Sequence, residues 1–195
     1  MVINALRGLY VCVPRNMAQS VGMYNTLLQG NDPAIVIECL NGYRLKEKMP
    51  ANLLEYTTPL GIPEIIREGQ DITIVSYGSV LRIIQDAADR LEREDISCEI
   101  IDIQTLLPFD INHFIVESLK KTNRIVFIDE DVPGGASSYM YNQVMEKQGG
   151  YNWLDVNPRT ITSKPNRPGY GSDGDYFSKP NAEEIISVIK EMMSE

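Results

Sequence analysis

The 195-residue chain is poor in metal ligands and thiols: one histidine, His113, and three cysteines, Cys12, Cys39 and Cys98, all far apart. Nothing in that set has zinc-site spacing, and an odd number of scattered thiols argues against a disulfide framework. Each cysteine sits in or beside an apolar, strand-like run, which suits a small buried hydrophobe in a reducing compartment. No stretch approaches the roughly 18 apolar residues of a membrane span. The opening MVINALRGLYVCVPRN has no basic segment, apolar core and cleavage site in succession, so a cytoplasmic protein with no membrane partner is expected. Positive charge is also scarce: 18 Lys and Arg against 27 Asp and Glu leave a net charge of −9. That balance opposes phosphate, argues against nucleic acid and favours basic protein partners, a plain solvated acidic surface being the alternative. Neither G-x-G-x-x-G nor the P-loop pattern G-x-x-x-x-G-K-[ST] occurs.

What is present is ordinary globular composition, 43% hydrophobic and 23% charged, enough for one full core or one domain plus part of another. LYVCVP reads as a short strand. NMAQSVGMYNTLLQG reads as a helix with Asn16 as N-cap, Gln19 three positions on, and Gly30 past its end. PAIVIEC is a second strand. Residues 40–69 carry Pro50, Pro59 and Pro63 without sustained period and read as an irregular crossing segment holding a domain boundary. From Asp71 the strands DITIVSYG, SCEIIDIQ and RIVFIDE alternate with the helices SVLRIIQDAADRLERE, DINHFIVESLKKT and ASSYMYNQVMEKQG. Alternation of that kind specifies an α/β fold, a mainly parallel sheet with helices on both faces. PRTITS is a candidate fourth strand, and Asn181 with Glu184 is spaced as a capping box ahead of a closing helix.

Three stretches could carry chemistry. Ligands of open parallel sheets gather at the carboxyl ends of strands, where SYGS (residues 76–79) and DEDVPGG (residues 129–135) fall. Against a ligand, Ser79 suits an N-cap, Gly78 a tight turn, and the acids Asp129, Glu130 and Asp131 would repel an anion. His113 has no nucleophile signature nearby and reads as a surface or packing histidine. The loop NRPGYGSDGDYFSKP (residues 166–180) is long and aromatic, either an interaction segment or a strap across the sheet edge.

A resemblance adds what spacing does not. Glu38 followed by Tyr43-Arg44, Gly61 followed by Glu68-Gly69 and Asp71, Ile101-Asp102 with Thr105-Leu106 and Pro108, and Glu130 with Gly134-Gly135 together resemble the beta subunit of thiamine-diphosphate-dependent 2-oxoacid dehydrogenases. These are the decarboxylating first components of the pyruvate and branched-chain complexes, with a C-terminal domain of the transketolase type. The resemblance implies three parts: residues 1–50 as the remnant of a pyrimidine-binding α/β domain, 51–70 as a linker, and 71–195 as a transketolase C-terminal-type domain. It also implies that the cofactor-activating carboxylate and active-site histidine lie upstream. The chain is therefore expected to be a fragment of a larger subunit or of a fused alpha-beta polypeptide.

Thiamine diphosphate and magnesium belong, on this resemblance, to the complete enzyme, and none is expected on this chain alone. No residue is assigned as catalytic, cofactor-binding or metal-binding. In some relatives the turn matching LLQGNDP holds a monovalent cation, which would place Leu27, Gly30 and Asp32 near such an ion, and Gly134-Gly135 is expected to be a structural turn. Expected partners are the alpha subunit or alpha half, a second beta copy and the subunit-binding domain of the acyltransferase core. The candidate docking residues are Asp173, Asp175, Tyr176, Phe177, Glu191 and Glu195, which combine aromatic anchors with negative charge. The alternative is an independent doubly wound module taking a small anion or nucleotide at residues 76–79 and Gly134-Gly135.

Overall fold

The computed structural model describes residues 6–171 and 174–195. The chain begins with β1 (Tyr10–Cys12), α1 (Met17–Leu28) and β2 (Ala34–Val36). Next come β3 (Glu64–Arg67), β4 (Ile72–Ser76), α2 (Leu81–Glu92), β5 (Cys98–Asp102), β6 (Thr105–Leu107), α3 (Phe114–Thr122) and β7 (Ile125–Ile128). The last elements are α4 (Ala136–Tyr141), β8 (Arg159–Ile161), α5 (Gly174–Ser178) and α6 (Ala182–Ser194). Two sheets result, a five-stranded one ordered β3-β5-β4-β7-β8 and a three-stranded one ordered β2-β1-β6.

The large sheet is parallel from β5 through β8, and only the edge strand β3 runs antiparallel. Every residue of β4, β5 and β7 is buried, as strands covered on both faces must be. Alternation splits their side chains between two cores. Ile72, Ile74 and Ile100 pack with α2 and α6 through Ile84, Leu91, Ile185 and Ile189. Val75, Ile101 and Phe127 pack with α3 and α4 through Ile115, Leu119 and Met140. Helix starts follow the local chemistry. Asn16 Oδ1 accepts from the Gln19 amide at 2.8 Å, and Asn181 Oδ1 from the Glu184 amide at 2.9 Å. The helix read from Asp110 begins later, at Phe114, because Asp110 turns its carboxylate onto the Phe114 and Ile115 amides at 2.8 and 3.0 Å.

Two strands depart from the pattern read in the sequence. β3 lies inside the segment read as a linker, where it is short, half-exposed and interrupted by a register shift, and its pairing with β5 is what makes it a strand. β6 lies within TLLPFD and leaves the large sheet to pair antiparallel with β1. The two sheets are tied further at that crossing. The Val13 amide donates to the Gln104 carbonyl at 2.9 Å, the Gly61 amide to Thr105 Oγ1 at 2.8 Å, and Gln104 Nε2 to the Ile62 carbonyl at 2.6 Å. Arg15, on the turn after β1, reaches Asp102 at 2.6 Å and Glu64 at 2.7 Å. Gln19 Nε2 adds bonds to Asp102 at 3.1 Å and to Gln104 at 2.6 Å. The long loop of residues 166–180 also holds structure, the single-turn helix α5.

Candidate functional site

At the carboxyl ends of β4 and β7 the chain opens a cleft of about 960 Å³. One wall comes from the small sheet and its extension, with Val13, Ile37 and Leu40. The other comes from the turn after β4 and the start of α2, with Tyr77, Gly78, Ser79, Arg82 and Ile83, and from residues 175–183. Gly78 makes the turn in the left-handed region, φ +64, and a Cβ there would lie 3.2 Å from Val13. The strand-end position agrees with the general rule for open α/β sheets.

The cleft is acidic, but its acids are engaged. Glu130 accepts from Ser79 Oγ and pairs with Lys179 Nζ at 3.1 Å, and Lys179 also reaches Asp175 at 3.7 Å. Glu183 accepts from Arg90 at 2.9 Å and from the Tyr176 hydroxyl at 2.9 Å, which hold its carboxyl down at about 2. Asp86 stands 3.8 Å from the same Arg90, and Glu38 accepts from the Tyr43 hydroxyl. Arg82 differs: its guanidinium has no hydrogen-bond or ion-pair partner among the described residues. Beneath the rim, Asp129 accepts from the Asp131 amide at 2.8 Å and from the Ser137 amide, yet burial outweighs those bonds and pushes its carboxyl up to about 6. Burial, helped by the charges of residues 129–131, drives the Tyr77 phenol far up as well. Five lining carboxylates against Arg82 and a committed Lys179 make the cleft a poor seat for a polyanion such as a diphosphate. No group of three or more His, Cys, Asp or Glu suited to a metal ion occurs among the described residues.

The residues picked out in the sequence are dispersed. Ser76 is buried with its hydroxyl on the Ile128 carbonyl at 2.7 Å, and only Gly78 and Ser79 of residues 76–79 face the cleft with Tyr77. Gly134 and Gly135 lie outside the cleft lining. Gly134 turns at φ +89, and the Gly135 amide donates to the Val132 carbonyl at 2.9 Å before α4 begins. Asp175 and Tyr176 border the cleft, and the exposed Phe177 ring stands edge-on to Tyr176 at 5.4 Å. Glu191 and Glu195 bind Arg159 near the other end of α6, a helix of 13 residues and so about 20 Å long. The structure therefore does not bring the two groups of docking candidates into one patch, and Asp173 lies outside the described residues. His113 is an exposed residue in the left-handed region just before α3. Leu27 and Gly30 close the end of α1 by an amide-to-carbonyl bond of 3.0 Å, and Asp32 accepts from the Tyr10 hydroxyl at 3.2 Å. Cys12 and Cys98 are buried thiols pushed up to about 11 and 12, while Cys39 lines the cleft, half-buried. Sequence reasoning missed Arg15 and gave Asp102, named only within a motif, no part in an ion pair, because that pair joins residues far apart in the chain.

The family model for the transketolase C-terminal domain matches residues 61–178. The chain belongs to that family. Its relatives include the beta subunit of acetoin:2,6-dichlorophenolindophenol oxidoreductase of Bacillus subtilis (strain 168), 31% identical over 198 residues, covering 100% of this chain and 56% of the relative. The pyruvate dehydrogenase E1 component subunit beta of Rhizobium meliloti (strain 1021) is 30% identical, covering 94% of this chain and 39% of the relative. The 2-oxoisovalerate dehydrogenase subunit beta of Bacillus subtilis (strain 168) is 32% identical over 66% of this chain and 39% of the relative. The chain thus spans about half the length, or less, of these transketolase-family relatives. A solved structure described as "Split gene transketolase, inactive beta4 tetramer" superposes with a TM-score of 0.72 over 97% of this chain and 58% of that one. At 19% identity it speaks to the fold alone.

Proposed function

We propose that this chain is the C-terminal part of the beta subunit of a 2-oxoacid dehydrogenase decarboxylating component, acting in the oxidative decarboxylation of pyruvate or a branched-chain 2-oxoacid. Within that enzyme it serves subunit assembly and docking to the acyltransferase core. The observation that supports this reading is similarity along the whole chain: one beta-subunit relative aligns with all of it, both sheets included. On this reading residues 1–50 are the end of a pyrimidine-binding domain, 51–70 the connection and 71–195 the transketolase-type domain. The partners are an alpha subunit or a fused alpha half, a second beta copy and the basic subunit-binding domain of the acyltransferase, all in the cytoplasm. The complete enzyme uses thiamine diphosphate and magnesium. The cleft's carboxylate-rich lining does not fit the diphosphate, so this chain by itself is proposed neither to bind the cofactor nor to decarboxylate.

The docking surface centres on Asp175, Tyr176 and Phe177 of α5, with Glu191 and Glu195 as more distant charges. Titration of the chain with a cognate subunit-binding domain tests it. Affinity should fall between about 0.1 M and 1 M salt, as the Debye length shrinks from roughly 10 to 3 Å. It should fall again on Tyr176→Ala and Phe177→Ala. Binding indifferent to both changes rules out this surface, and no binding at all rules out the docking role. Calorimetry with thiamine diphosphate and magnesium should show no heat of binding, and affinity on the order of micromolar would overturn the division of labour proposed here.

A further inference from the structure

We propose that Asp129 is a proton-operated latch, which switches the turn between β7 and α4, and through it the rim of the cleft, between two hydrogen-bonded arrangements. The side chain is fully buried just past β7 and closes the turn from within. One carboxylate oxygen accepts from the Asp131 amide at 2.8 Å and the other from the Ser137 amide, so a single group ties the turn to the start of α4. The same turn carries the cleft rim. Glu130, the next residue, accepts from Ser79 Oγ and pairs with Lys179 at 3.1 Å. The Glu130 carbonyl accepts from Ser163 Oγ at 2.6 Å, and the Asp131 carbonyl from the Ser163 amide at 2.9 Å. Residues adjacent to Asp129 thus join the turn before α2, the segment after β8 and the segment after α5.

Two backbone donors serve the ionised form, but no cation pairs with Asp129 among the described residues. The titratable groups that face it are Tyr77, from the turn after β4, and Asp131, from its own turn, whose charge opposes a second one beside it. Glu130 is committed instead to Ser79 and Lys179. From β8 comes the Ile161 carbonyl, which accepts from the Asp129 amide at 3.1 Å, and from α4 comes Ser137. A proton added to Asp129 needs an acceptor of its own, because each carboxyl oxygen already faces an amide N–H. The Ser137 hydroxyl is placed for it: fully buried, against the Asp129 carboxyl, and without a well-formed hydrogen bond among the described residues. A hydroxyl accepts from a protonated acid as readily as it donates to an ionised one. On protonation Asp129 therefore becomes a donor to Ser137 Oγ, the Ser137 amide loses its charged acceptor, and the start of α4 shifts against the turn. The proton comes from solvent and stays on the carboxyl, and no other group changes charge. Burial set against the two amide bonds places this exchange at about 6, so both arrangements are populated near neutral pH.

The test is amide NMR on the full chain between about pH 4.5 and 7.5. The Asp131 and Ser137 amide signals should move together in a single step with its midpoint at about 6, and the Ser79 and Ser163 signals should follow at the same midpoint. That comparison uses the unaltered protein and so does not depend on a variant folding. Asp129→Asn, whose side-chain amide donates on one side and accepts on the other as the protonated acid does, should abolish the step. At about pH 7.5 it should hold the Ser79 and Ser163 signals where the unaltered protein has them at about pH 4.5. Ser137→Ala removes the acceptor for the proton and should lower the midpoint by about half a unit or more. His113→Gln should leave the step in place, which excludes the one histidine of the chain as its source. The proposal is overturned by no step at Asp131 and Ser137, by a step that survives Asp129→Asn, by a midpoint that Ser137→Ala leaves unchanged or raises, or by Ser79 and Ser163 signals that do not follow.

Discussion

Replacing Arg15 with alanine should cost more than its position on a turn suggests, because it leaves Asp102 a buried charge without a countercharge. Asp102 is fully buried, whereas the Arg15 side chain is 22% exposed and its second partner, Glu64, 46%. The Glu64 contact is therefore a surface pair worth at most about 1 kcal/mol. The Asp102 contact, at 2.6 Å, is of the kind whose rupture costs about 3–5 kcal/mol when both ions are buried. Water reaching Arg15 and the surviving bonds from Gln19 and the Gln104 amide pull that down, so the expected loss near neutral pH is about 2–4 kcal/mol. The pH dependence separates this cause from lost packing. Burial raises the Asp102 carboxyl above its ordinary value, with Arg15 pulling the other way, and without Arg15 it rises further. A native state that keeps its proton to higher pH than the unfolded chain is most favoured below the unfolded value and loses stability as pH climbs towards the folded one. The variant's deficit should accordingly be largest at about pH 8 and smaller by about 1 kcal/mol or more at about pH 5, measured by urea unfolding. Adding Asp102→Asn should recover much of the loss. A deficit that is the same at both pH values would refute the unpaired-charge account.

Gly69→Ala should be among the most damaging single changes, since a Cβ there would lie 2.1 Å from the Glu99 amide nitrogen and 2.2 Å from the Cys98 carbonyl carbon. These are backbone atoms that cannot swing aside, and a loss above about 3 kcal/mol in chemical denaturation is expected, with near-native stability counting against that crowding. Asp129, lifted from 3.8 to about 6 by burial, should favour the native state most below pH 4 and give up roughly 3 kcal/mol as pH rises through 6. Asp129→Asn should flatten the stability profile over that window, and parallel profiles for the two proteins would rule the assignment out. Asp110→Ala removes two amide caps from α3 and should cost about 1–2 kcal/mol, seen as a lowered urea midpoint with unchanged slope.

How much of this was legible in the sequence depended on whether the signal was local. The N-caps Asn16 and Asn181, the buried strands β4, β5 and β7, and the helices α2 and α6 are written in side-chain spacing within a few residues. The turn at Gly134-Gly135 was likewise visible, because φ +89 calls for glycine. β3 and β6 were not legible. Each is three or four residues long and owes its conformation to a strand elsewhere in the chain, β5 for one and β1 for the other. The cleft was half legible: its position at the strand ends followed from the α/β alternation, but its far wall comes from residues 13–40, which the pattern assigned to a separate domain. Arg82 could not be singled out, since nothing local distinguishes an arginine without a partner from one with a partner.

The strand swap at β6 also sets an order of events during synthesis. β1 is made well before its antiparallel neighbour, which follows about 95 residues later, and the Arg15–Asp102 pair is separated by 87. At roughly 5–20 residues per second, the apolar edge of β1 waits on the order of 5 to 20 seconds before its neighbour leaves the ribosome. Until then β2 is its strand neighbour among the described residues, and residues 10–36 form a βαβ unit still lacking β6. The amino-terminal unit is thus finished from behind, by a strand borrowed from the half of the protein translated after it, and nascent-chain chaperones should contact β1 up to the emergence of residue 107 and release it afterwards.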